Sequence, residues 1–125
     1  LAGSRWQSYG RGPGYDCSGV VVCAARNAGL VIEDCLKYDI RALPAGLILD
    51  FCSRNGVIHG PRLREPGSVF MATVPGYPGV SHMGIISTYD RVIHSDVSKR
   101  SVVVRSFSWL DRSCEYTMKF NSVEY

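Results

Sequence analysis

The chain lacks most of the features that assign a protein at a glance. Its five cysteines, Cys17, Cys23, Cys35, Cys52 and Cys114, form no CxxC pair and no regular spacing, which argues against a zinc site and, with the odd count, against a disulfide framework. Reduced, buried thiols of this kind suit a protein made in a cytosol. There is no dense Lys/Arg cluster, since 14 basic and 11 acidic residues are scattered along the chain for a net charge of +3. A nucleic-acid surface is therefore not expected. The longest apolar runs, "SGVVVCAARNAGLVI" and "AGLILDF", are interrupted or too short to span a bilayer, so membrane insertion is not expected either. Neither a positive n-region nor a long apolar h-region opens the chain, which begins with Leu rather than Met. The expectation is a start without a secretory signal, in a fragment or domain of something longer.

What the chain does have is enough apolar residue for one core. With 125 residues, 46% hydrophobic and 20% charged, it fits a single globular domain over residues 1–125. No repeat, low-complexity tract or interdomain linker divides it. Residues 1–15, "LAGSRWQSYGRGPGY", read as a structured loop rich in Gly and aromatics. From Asp16 the pattern changes. Asp16 or Ser18 can cap a helix whose apolar positions Val20, Val21, Ala24, Ala25 and Ala28 recur at helical spacing, with Gly29 as its stop. A second helix is predicted in "LPAGLILDFCSRNG", from Pro44 to Gly56, with Leu47, Ile48, Phe51 and Cys52 on its apolar face.

After "PRLREPG" the period shortens to that of strands. "SVFMATV", "SHMGIIST", "RVIHSD", "SVVVRSF" and "EYTMKF" predict five short strands, and "IISTYDRVIH" predicts a tight hairpin turning at "TYDR". Helices first and strands afterwards predict an α+β domain with one antiparallel sheet. The hairpin puts His82 and His94 near the outer ends of adjacent strands. His59 falls in the loop before the strands and reads as a surface histidine.

A thiol becomes a useful nucleophile when it ionises near neutral pH, which a helix N-terminus and a nearby imidazole both promote. Cys17 has the first by position, and His82 or His94 can supply the second if the sheet packs on its helix. Small residues after it, Ser18 and Gly19, offer backbone N–H groups to a developing oxyanion. Free cysteine is also among the most buried residue types, and a thiol in a helix is usually there for packing. Spacing alone leaves both readings of Cys17 open, and packing is the expected role of the other four.

The motifs "DCSGVVV" (16–22), "REPGSVFMA" (64–72), "SHMGIIS" (81–87) and "RVIH" (91–94) stand in an order and at distances that resemble the NlpC/P60 family of cysteine peptidases, over nearly the whole chain. The resemblance implies a papain-like α+β fold, N-terminal helices on a sheet of about five antiparallel strands, with no metal and no cofactor. It implies Cys17 as nucleophile, His82 as general base and His94 as the group orienting the imidazole. The implied substrate is the stem peptide of peptidoglycan, cut most often after a γ-linked D-glutamyl residue. A narrower similarity, in "WQSYGRGPGYDCSGVVVCAARNAGL" and "SFSWLDRSCEYTMKF", is to hydrolase domains in the tails of long-tailed bacteriophages. It implies a protein made in the host cytoplasm, carried in the virion tail among other tail proteins, and acting at the cell wall; the bacterial envelope is the alternative. Trp6 holds the place where wall-remodelling members carry a Tyr that assists at the oxyanion, with Tyr9 close by. Two other readings stay in view, a catalytically silent structural tail component and an amidase or acyltransferase on the same fold.

Overall fold

A computed structural model describes residues 3–5, 7, 10, 16–34, 45–96, 98–121, 123 and 125. The expectations for Trp6, Tyr9, Cys35 and the helix start at Pro44 lie outside the described residues. Asp16 does cap the first helix, α1 (Cys17–Asn27): its backbone is extended and its Oδ1 accepts the Gly19 N–H at 2.7 Å. The helix ends where Gly29 takes φ +84°, with the Leu30 amide donating to Ala25 and the Gly29 amide to Arg26, the paired bonds of a Schellman motif. Leu30 then packs against the core, as the motif's apolar contact requires.

The second helix, α2 (Ala45–Asn55), buries Ile48, Phe51 and Cys52. Asn55 closes it by donating to Phe51 O and Glu33 O and accepting from the Glu33 amide, which ties the helix end to the segment following α1.

Strand β1 (Gly56–His59) follows at once, and it was not expected. Gly56, read in the sequence as a helix stop, is a close-approach position: a Cβ there would lie 2.2 Å from the Lys119 carbonyl oxygen and 2.3 Å from the Met118 sulfur. His59 accordingly sits on a strand opposite Thr117, half-buried, and not in a surface loop. The remaining elements are β2 (Val69–Thr73), β3 (Val80–Ile86), β4 (Arg91–Asp96), β5 (Ser101–Ser106), a one-turn helix α3 (Phe107–Leu110) and β6 (Cys114–Phe120). Among the described residues, these strands and β1 form an antiparallel sheet of six in the order β1-β6-β2-β3-β4-β5. The β3–β4 hairpin turns at the expected place, with Tyr89 and Asp90 both in the left-handed region.

Strand β2 is apolar on both faces because both are covered. Val69 and Met71 meet Val21, Val22, Ile48, Phe51, Met83 and Met118 on the side of α1 and α2. Phe70 and Ala72 meet Ile86, Val92 and Leu110 on the other, under Phe107 and Trp109. Each fully buried side chain of this kind contributes about 1.5–3 kcal/mol. The consequence for function is that α1 lies against β3 and β4, which brings its N-terminus to the strands that carry the histidines.

Candidate active site

Cys17 is the first residue of α1 and is 5% exposed. The backbone is close-packed at this point: a Cβ on Gly19 would lie 1.9 Å from the Gly10 carbonyl oxygen, so Gly10 rests directly on the first turn of the helix. Asp16 gathers the Gly19 amide at 2.7 Å and the Ser18 hydroxyl at 3.1 Å. This corrects one expectation, because the Gly19 N–H is committed to the cap and is not offered to an oxyanion. Ser18 is fully buried, its hydroxyl turned to Asp16.

His82 stands on β3 opposite Ala72, where the register slips so that Thr73 pairs with Val80. Such a bulge re-aims a side chain. Both Ser81 and His82 line the same cleft, which alternation along an unbroken strand does not allow. His94 on β4 reaches across the hairpin, with His82 Nε2 and His94 Nδ1 2.7 Å apart. The two rings meet edge to face at 4.8 Å. Trp109 lies flat on the His94 ring at 4.2 Å and an interplanar angle of 19°.

Behind His94 the chain of contacts continues through residues that sequence reasoning did not nominate. Arg105 donates Nε–H to His94 Nε2 at 3.1 Å and pairs through Nη2 with Asp96. Asp96 accepts in turn from the amides of Ser98 and Lys99 and from the Ser98 hydroxyl. A signal for Asp96 was available: at two residues beyond His94 on a strand it must share that face. Arg105 interrupts an apolar run, but its diagonal reach to His94 depends on the β4–β5 register, in which His94 faces Val103.

Cys17, His82 and His94 all border one cleft of about 480 Å³, with Tyr77, Trp109 and Arg112 among its other walls. His59 is not part of it. Cys114 is a free thiol, and no cluster with metal-ligand character occurs among the described residues. No helix among them is long and apolar enough to cross a membrane.

Burial pulls the His82 imidazole down to about 4, against the pull of the Asp96 carboxylate. Burial, reinforced by the neighbouring His82, pulls His94 down to about 3. For Asp96 burial acts upward, yet its bonds to Ser98, Arg105 and Lys99 outweigh it and hold the carboxyl well below the usual range. A folded imidazole that resists protonation is a liability in acid. The unfolded chain begins to bind protons near pH 6.5, the folded one only near 4, so stability is complete above 6.5 and is lost as pH falls. Each imidazole costs about 2 kcal/mol at pH 5 relative to pH 7. Urea unfolding at pH 7, 6 and 5 is expected to show this fall, and a His94→Asn variant is expected to show a flatter one.

No family model matches the chain, and no curated protein matches it. Solved structures do. One described as the NlpC/p60 domain of the peptidoglycan hydrolase SagA superposes with a TM-score of 0.64 at 20% identity, over 95% of this chain and 89% of that one. The fold is that of an NlpC/P60 domain. NlpC2 from Trichomonas vaginalis superposes with a TM-score of 0.72 at 17% identity, over 95% of this chain and 42% of that one. The expected fold class is thus found, with six strands in the NlpC/P60 sheet where five were legible.

Proposed function

We propose that this NlpC/P60 domain is a cysteine hydrolase that cuts amide bonds in the stem peptides of peptidoglycan. The observation that carries the reading is the shared cleft: a cysteine at the head of a helix and a hydrogen-bonded pair of histidines border the same cavity. The SagA domain, a peptidoglycan hydrolase by description, supports the substrate class.

His82 engages His94 through Nε2, which leaves Nδ1 to meet Cys17. In the reaction His82 takes the thiol proton, and the thiolate attacks the amide carbonyl carbon. The N-terminal end of α1, with the backbone amides near Cys17 and Ser18, steadies the oxyanion. The proton on His82 passes to the departing amine, and water then releases the acyl group from sulfur. Trp6 and Tyr9 remain candidates for substrate contact on the strength of the sequence motifs. A γ-D-glutamyl bond is the proposed target. The tail of a long-tailed phage is the proposed setting, for local opening of the wall among other tail proteins, and it rests on "WQSYGRGPGYDCSG" and "SFSWLDR".

The test is incubation of the purified chain with peptidoglycan and with defined muropeptides, followed by mass spectrometry. New peptide termini at a γ-D-glutamyl bond are the expected result. A chain that releases nothing, yet binds tail proteins stably, would make it a structural component instead.

A further inference from the structure

The contacts behind His94 fix more than its position. A guanidinium has donors only and no acceptor, so the Arg105 Nε–H that points at His94 Nε2 at 3.1 Å requires a lone pair on that nitrogen. A neutral His94 then carries its proton on Nδ1. That nitrogen lies 2.7 Å from His82 Nε2, which must accept, and a neutral His82 in turn carries its own proton on Nδ1. We propose that Arg105 is a positioning residue that sets the tautomers of both imidazoles, holding each proton on Nδ1.

The consequence for Cys17 rests on the functional reading above. With its proton on Nδ1, His82 presents an N–H to the thiol where a base needs a lone pair. Taking the thiol proton requires the chain to reverse: His82 gives its Nδ1 proton to solvent in the cleft and takes the His94 Nδ1 proton at Nε2, while His94 gains a proton from solvent at Nε2 as Arg105 Nε withdraws. Arg105 can let go of His94 while keeping Nη2 on Asp96. Among the described residues, the charged and titratable groups around the pair are Cys17 from α1, Tyr77 from the segment between β2 and β3, Asp96 from β4, Arg105 from β5 and Arg112 from beyond α3; Trp109 and Phe70 stand against the pair as neutral rings. Because Asp96 already neutralises Arg105, the guanidinium acts on the pair more by the direction of its bond than by its charge.

Arg105→Gln tests this cleanly. The amide has one donor end, which Asp96 takes, and one acceptor end, which then meets His94 and calls for Nε2–H. In ¹⁵N-histidine spectra of the His59→Asn chain at pH 7.5, the two remaining rings are expected as Nδ1–H tautomers. Adding Arg105→Gln is expected to convert both to Nε2–H. The midpoint for alkylation of Cys17 by iodoacetamide, followed by peptide mapping, is expected to fall by about one pH unit in Arg105→Gln, because His82 can then become an imidazolium beside the thiolate. An Nε2–H ring in the parent overturns the proposal, as do unchanged tautomers or an unmoved midpoint in the variant. None of these readouts needs a substrate, so a chain that fails to cut peptidoglycan leaves the test intact, and one that cuts it can still fail the test.

Discussion

Cys17→Ala is expected to reduce hydrolysis of muropeptides by on the order of 10⁴-fold or more, since removal of a nucleophile leaves only what binding and the oxyanion site can supply. The fold is expected to survive. Cys17 is buried at 5% exposure, at the head of the helix, beside a cap built by Asp16 and Gly19. Losing its sulfur costs about 1 kcal/mol of packing. The comparison that gives the result meaning is Cys52→Ala, which empties a fully buried site in the core between α2 and the sheet. That variant is expected to lower the melting temperature as much or more and leave turnover per folded molecule unchanged. Activity retained in Cys17→Ala, measured on the same muropeptides, would remove the thiol from the chemistry.

The two thiols of α1 illustrate how much the sequence could say. The N-cap at Asp16, the stop at Gly29 and the helical spacing between them were all local patterns, and the helix formed where they pointed. The β3–β4 hairpin was legible for the same reason, because its turn residues and its strands adjoin in sequence. Strand β1 was not. Four residues directly after a helix carry no turn signal of their own, and Gly56–His59 becomes a strand only because β6, at the far end of the chain, lies alongside it.

The site divides along the same line. His82 and His94 were nominated through motifs, and the hairpin that joins them is local. Arg105 and Asp96 act through a register between strands and a diagonal reach, which no single stretch displays. Trp109 stood in the sequence only as one residue of the quoted stretch "SFSWLDRSCEYTMKF", and the packing of α3 against β4 is what shows that its ring covers His94. Residues nominated by motif were thus easier to read than those that contact them through strand register.

Gly84→Ala is expected to be the most damaging single methyl group in the β3–β4 region. Gly84 pairs with Phe70 across β2, and a Cβ there would lie 2.4 Å from the Ile93 carbonyl oxygen, 2.6 Å from the Phe70 ring and 2.8 Å from His94 Cβ. The glycine is required by closeness and not by backbone conformation, as its φ is not among the positive values. Two of the three obstacles cannot swing away, since one is main chain and one is the first side-chain atom of a buried histidine. Relief comes only by prising β3 from β4, at about 3 kcal/mol, or roughly 10 °C in melting temperature for a domain of this size. The same movement separates His82 from His94. A displacement near 1 Å at a catalytic group costs on the order of 10²-fold in rate, so activity should fall even at temperatures where the variant is fully folded. Gly46→Ala in α2, where nothing lies within 4 Å of the added methyl, is expected to change neither quantity for the worse. A Gly84→Ala protein that melts within 2 °C of the parent, by the roughly 3–4 °C per kcal/mol expected of such a domain, would show that the two strands yield and that the histidine pair is not held by their close approach.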